Sequence, residues 1–172
     1  MKKTIALLVV LTMVLSMAAC GAKKAASLEG TMEENVGKVM QEKPVQFMGG
    51  MIPVDLADTS EEGKWALKSF TGLDSAEKIT DAAVYEPMTG SQAFSLVMVR
   101  VADAADAKDV AQQMMDNIDP AKWVCVCANE AKAAGYGDTV MFIMVNTELG
   151  CTAQSYVDAF AKVCGGDLDF TI

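Results

Sequence analysis

Residues 79–118, ITDAAVYEPMTGSQAFSLVMVRVADAADAKDVAQQMMDNI, change hydrophobic period part-way along, and that change decides the fold. Ile79 to Tyr85 and Ala93 to Val101 are rich in β-branched and apolar residues with a period of two, which reads as two strands. Between them, Glu86-Pro87-Met88-Thr89-Gly90-Ser91 holds Pro and Gly at turn positions, so the pair reads as a hairpin. From Asp103 to Ile118 the period is helical. Ala107, Val110, Ala111, Met114 and Ile118 form one stripe, and Asp106, Asp109, Gln113 and Asp116 the other. Asp119-Pro120 ends that helix. Strands that pair locally and then hand over to an amphipathic helix belong to an α+β architecture.

The flanking sequence extends this pattern. Thr31-Met32-Glu33-Glu34 is a capping box, followed by Met32, Val36, Val39 and Met40 on one helical face, which ends before Pro44. Val45 to Leu56 holds Gly49-Gly50 and Pro53 and lacks a period, so it reads as a packed, extended connection. Thr59-Ser60-Glu61-Glu62 is a second capping box, opening a helix that turns Trp65, Ala66, Leu67 and Phe70 inward and stops at Gly72. Trp123 to Ala128 and Thr139 to Val145 are apolar runs separated by Gly135-Tyr136-Gly137-Asp138, as expected of central strands covered on both faces. A last helix begins near Thr152, with Ala153, Tyr156, Val157, Phe160 and Cys164 on one face, and Gly165-Gly166 stops it. Leu168, Phe170 and Ile172 suggest a short edge strand. The expectation is one α+β domain over residues 31–172, with a mostly antiparallel sheet of four to five strands packed with helices.

The N-terminus reads as an address. Met1-Lys2-Lys3 is a positive start, and Ile5 to Met17 an apolar core of about 13 residues, short of the roughly 18 that span a bilayer. Leu15-Ser16-Met17-Ala18-Ala19-Cys20 resembles the lipobox of bacterial lipoproteins, with Met17 where Leu is commoner. The resemblance implies that residues 1–19 are a cleaved signal peptide and that Cys20 is lipidated with diacylglycerol on sulfur. Two palmitate-type acyl chains anchor stably where one does not. Residues 20–30 then read as the lipidated cysteine and a flexible tether, holding the domain at the extracytoplasmic face of the cell membrane. Val84-Tyr85-Glu86-Pro87-Met88, the run Ser95 to Ile118 and Gly137-Asp138 resemble small bacterial lipoproteins that carry a C-terminal domain of unknown function. These residues mark a fold and transfer no active site.

The chain has 23 acidic and 14 basic residues and no histidine. Loss of Lys2 and Lys3 with the signal leaves 12 basic residues and a net charge of −11, which repels nucleic acid. Without histidine there is no Ser-His or Cys-His nucleophile, and no Gly-rich phosphate loop is present. Asp103, Asp106 and Asp109 read as a solvated helix face. No catalytic residue, metal or cofactor is expected. The partners expected are the membrane, through the lipid anchor, and an envelope protein, peptide or cell-wall ligand.

Four further cysteines, Cys125, Cys127, Cys151 and Cys164, form a possible disulfide or thiol site. A helix between Cys151 and Cys164 separates them by about 20 Å, so they cannot bond to each other or share one ion. Any bridge would join Cys125 and Cys127 to the other two. Otherwise Cys125 and Cys127 pack in the core beside Trp123 as small apolar residues. Among the methionines, Met48 and Met51 stand out as a pair of thioethers in an irregular segment. The composite expectation is a non-catalytic binding or envelope-organising module. The alternative is a thiol-based redox or metal-handling protein centred on Cys125 and Cys127.

Overall fold

The central strands are apolar on both faces because helices cover both faces of the sheet. The computed structural model describes residues 26–172, so the expected signal peptide and Cys20 lie outside the described residues. In chain order the elements are α1 (Met32–Glu42), β1 (Gly49–Pro53), α2 (Glu61–Thr71), β2 (Ile79–Pro87), β3 (Phe94–Val101), α3 (Ala107–Asn117), β4 (Glu130–Tyr136), β5 (Thr139–Val145), α4 (Ala153–Cys164) and β6 (Phe170–Thr171). The six strands form one sheet in the order β1-β2-β3-β5-β4-β6, with every pair antiparallel.

Alternation along β3 separates two cores. Phe94, Leu96 and Met98 join Met141, Ile143 and Val145 beneath α1 and α4, where Met32, Val36, Tyr156 and Phe160 meet them. Val97, Val99 and Val101 join Val140, Phe142 and Met144 on the other face, against Leu67 of α2 and Val110 and Met114 of α3. Full burial of each such side chain contributes about 1.5–3 kcal/mol, so the central strands are the most strongly determined part of the fold.

The helix ends follow local rules. Thr31 and Glu34 cap α1 reciprocally, Thr152 caps α4, and Gly72 and Gly165 take left-handed C-terminal positions with φ of 76° and 74°. Ser60 caps α2 by accepting from the Gly63 amide, so Thr59 and Glu62 do not form the expected box. Asp106 and Asp109 of the expected solvated face pair with Lys78 at 2.9 and 2.6 Å, and Asp103 caps the short turn before α3.

Three expectations need correction. The sheet has six strands, because Gly49–Pro53 pairs with β2 where an extended connection was expected. Trp123 to Ala128 is an irregular loop, and the strand lies later, at Glu130–Tyr136, a sequence of small residues with weak β propensity. Ala133 and Ala134 there are fully buried on opposite faces, where side chains of that size let α3 and α4 approach the sheet. Packing overrides intrinsic preference. Finally, Trp65 points outward and is 66% exposed, while Leu67 and Thr71 carry the inward face of α2.

Candidate functional site

The two ends of the sheet differ. At one end the N-terminal segment is clasped. Arg100 donates to Ser27 Oγ and to the Leu28 and Gly30 carbonyls, each at 2.8 Å, and lies 3.5 Å from Asp138. The Asp138 amide donates to the Ala26 carbonyl at 3.1 Å, and Ser27 Oγ donates to the Asp138 carboxylate at 2.7 Å. Gly137, at φ 58° in the β4–β5 turn, allows this approach, since a Cβ there would overlap the Ala26 carbonyl. Residues 26–30, expected to belong to an exposed flexible tether, are thus tied to the domain, with Leu28 packed against the α1/α4 core. A groove of about 440 Å³ lies at the same end, and its two titratable residues are Glu33 and Asp81. Asp81 is already committed, accepting from the Met32 amide at 2.7 Å at the start of α1.

At the opposite end, residues 118–129 form a strap across the ends of the central strands. Lys122 anchors it 2.5 Å from Glu86, with the two side chains only 12% and 11% exposed. Ser95, fully buried, donates to the same carboxylate at 2.7 Å. Lys122 also donates to the Ser69 carbonyl, and the rings of Phe70 and Trp123 lie 5.6 and 5.4 Å from its ammonium. Farther along, the Val124 amide donates to the Gly90 carbonyl, Asn146 Nδ2 to the Cys127 carbonyl, and the Asn129 amide to the Val145 carbonyl. Each end of the strap is therefore fixed to the sheet.

Cys125 and Cys127 lie on this strap. Both are exposed, which corrects the expectation that they pack in the core beside Trp123. Neither is in a strand, and Cys125 adopts φ 63°, the one non-glycine residue with positive φ among the described residues. Met48, Met88 and Val124 share this end and are 76%, 72% and 70% exposed; the Met88 amide donates to the Met48 carbonyl. The expected Met48–Met51 pair is separated, because Met51 packs on the α1/α4 core. The buried Lys122–Glu86–Ser95 cluster was missed in the sequence, since its members are 9 to 36 residues apart and carry no periodic signal.

All four described cysteines are free thiols, and no disulfide joins the strap to Cys151 or Cys164. Burial pushes Cys151 above the ordinary thiol range and Cys164 up to about 12. The neighbouring Tyr156 hydroxyl is also raised by burial and has no hydrogen-bond partner of good geometry, the Cys151 thiol being its weak polar neighbour. Because an unsatisfied buried hydroxyl is costly, Tyr156→Phe should raise the unfolding free energy by about 1 kcal/mol in urea denaturation. These acids titrate higher in the folded chain than in the unfolded one, so the unfolded state loses its protons first. Stability from Cys164 is therefore complete below pH 9.0 and declines as pH rises towards about 12. Cys164→Ala should flatten that alkaline decline when unfolding is followed against pH.

Among the described residues, no three or more His, Cys, Asp or Glu side chains are grouped to hold a metal ion, and no helix is long and apolar enough to cross a membrane. Comparison with protein-family models, curated proteins and solved structures finds no match to this chain.

Proposed function

We propose that this chain is a membrane-anchored extracytoplasmic lipoprotein, related to the small bacterial lipoproteins it resembles, whose domain is a non-catalytic binding module. The strap end of the sheet docks an envelope protein, a peptide or a cell-wall ligand. The observation that carries this reading is the polarity of the domain. Its N-terminal segment is clasped beside Gly137, whereas the exposed apolar residues Met48, Met88 and Val124 lie at the other end of β3. Ala26 is six residues from Cys20, a reach of at most about 20 Å, so anchoring at Cys20 sets the clasped end near the bilayer. The strap end then projects outward by the length of β3, about 26 Å at 3.3 Å per residue. The net negative charge opposes collapse of the domain onto an anionic membrane surface.

Lipid labelling tests the anchor. The native chain should incorporate labelled acyl groups and sediment with membranes. Cys20→Ala should lose the label and either leave the membrane fraction or persist as the uncleaved precursor. Continued labelling of Cys20→Ala would overturn the anchor. A photo-crosslinker at Val124 of the anchored chain should capture an envelope component that the same probe at Asp167, near the clasped end, does not. Equal capture from both positions would overturn the docking end.

A further inference from the structure

The strap carries two thiols for which the docking reading has no use. We propose that Cys125 and Cys127 form a surface site for one Cu(I) ion, held as a bis-thiolate.

The four described cysteines divide by environment. Cys151 and Cys164 are partly buried, and burial favours their protonated forms, which are poor ligands. Cys125 and Cys127 are exposed on a segment fixed at Lys122, Val124 and Cys127 by the contacts described above. That segment holds Cys125 in the left-handed region. A non-glycine residue there costs about 1–2 kcal/mol, so glycine would be the more stable occupant and the thiol is kept against the backbone preference. Strain of this kind concentrates at functional sites.

Spacing and ligand count select the ion. Residues two apart have Cα atoms no more than about 7 Å from each other. A single ion with metal–thiolate bonds near 2.3 Å separates two sulfurs by up to about 4.6 Å. A disulfide would demand about 2.05 Å between the same atoms and a tightly limited dihedral. Both thiols are free and exposed, so the pair is open to an ion. Zinc prefers four ligands, and no third His, Cys, Asp or Glu joins the pair among the described residues. Calcium and magnesium require oxygen ligands. Cu(I) is soft, selects thiolate and is satisfied by two such ligands. Met48 and Met88, exposed at the same end, are further soft donors within the same part of the fold.

On binding, two S–H bonds break, two Cu–S bonds form, two protons pass to solvent and copper remains Cu(I). Copper binding here requires neither the anchor nor a docked partner, so its failure would leave both of those readings standing.

The test is an anaerobic Cu(I) titration of the full-length chain in detergent against a chromophoric Cu(I) competitor. One equivalent should be retained by the native chain and by Cys151→Ser and Cys164→Ser, and lost in Cys125→Ser and Cys127→Ser. Cys125→Gly removes the thiol and relaxes the backbone, so it should lose the ion while unfolding at the same or higher urea concentration. No retention by the native chain, or equal retention by Cys125→Ser and Cys127→Ser, would overturn the site.

Discussion

Lys122→Ala should lower the unfolding free energy by about 3–5 kcal/mol, the cost of removing one partner from a buried ion pair. The substitution leaves Glu86, 11% exposed, with Ser95 as its remaining donor, and removes the ammonium from between Phe70 and Trp123. Domains of this size have total stabilities of about 5–15 kcal/mol, so the loss is a large fraction of the whole. Urea denaturation of Lys122→Ala and of Glu86→Gln with Lys122→Met separates two contributions. The double variant removes the charge at both positions and keeps side-chain bulk, so it should recover most of the loss. A loss below about 1 kcal/mol in the single variant would place the pair among screened surface bridges. Amide exchange should rise along the strap in the single variant, because Lys122 fastens it to the sheet.

Phe94→Ala should have an effect of similar size, about 3–5 kcal/mol, from lost apolar contact and the cavity left behind. Phe94 is fully buried, with the rings of Phe47, Tyr85 and Tyr156 edge-on at 5.3, 6.3 and 5.1 Å. Edge-to-face pairs add about 0.5–1.5 kcal/mol beyond burial. The site joins the connection before β1, strand β2 and helix α4, so little nearby structure can close the gap. Phe94→Leu retains much of the volume and should cost markedly less than Phe94→Ala in the same denaturation series. Equal losses would show that retained apolar volume recovers nothing there and that the ring itself carries the packing.

The hairpin and helix within residues 79–118 were legible because their periodicity reflects burial. The β3 residues that alternate between two cores include the apolar run Leu96 to Val99, whose burial on both faces goes beyond the period of two read from the sequence. Strand β4 was not legible, since Ala133, Ala134 and Gly135 are chosen for close approach of neighbouring elements rather than for strand propensity. Trp123 to Ala128 misled for the converse reason. It is apolar enough for a strand, yet Lys122 ties its start to Glu86 and Cys125 turns left-handed, so the ladder cannot continue through it. Trp65 kept the helical spacing of an inward residue although α2 offers that side to solvent. At the candidate site, the four thiols were visible as residue types. Their separation into two exposed and two partly buried depended on this loop and on α4, which spacing alone does not fix.

The most direct test of the account is energy transfer between labelled lipid headgroups and a fluorophore placed in turn at Thr89 and Asp167 of the vesicle-anchored chain. Thr89 lies in the β2–β3 loop at the strap end, and Asp167 lies close in sequence to Asp169, whose carboxylate accepts from the Gly137 amide at the clasped end. The account predicts efficient transfer from position 167 and weak transfer from position 89, with the two positions separated by about the 26 Å length of β3. Equal transfer, or stronger transfer from position 89, would contradict a domain that presents its strap end away from the membrane.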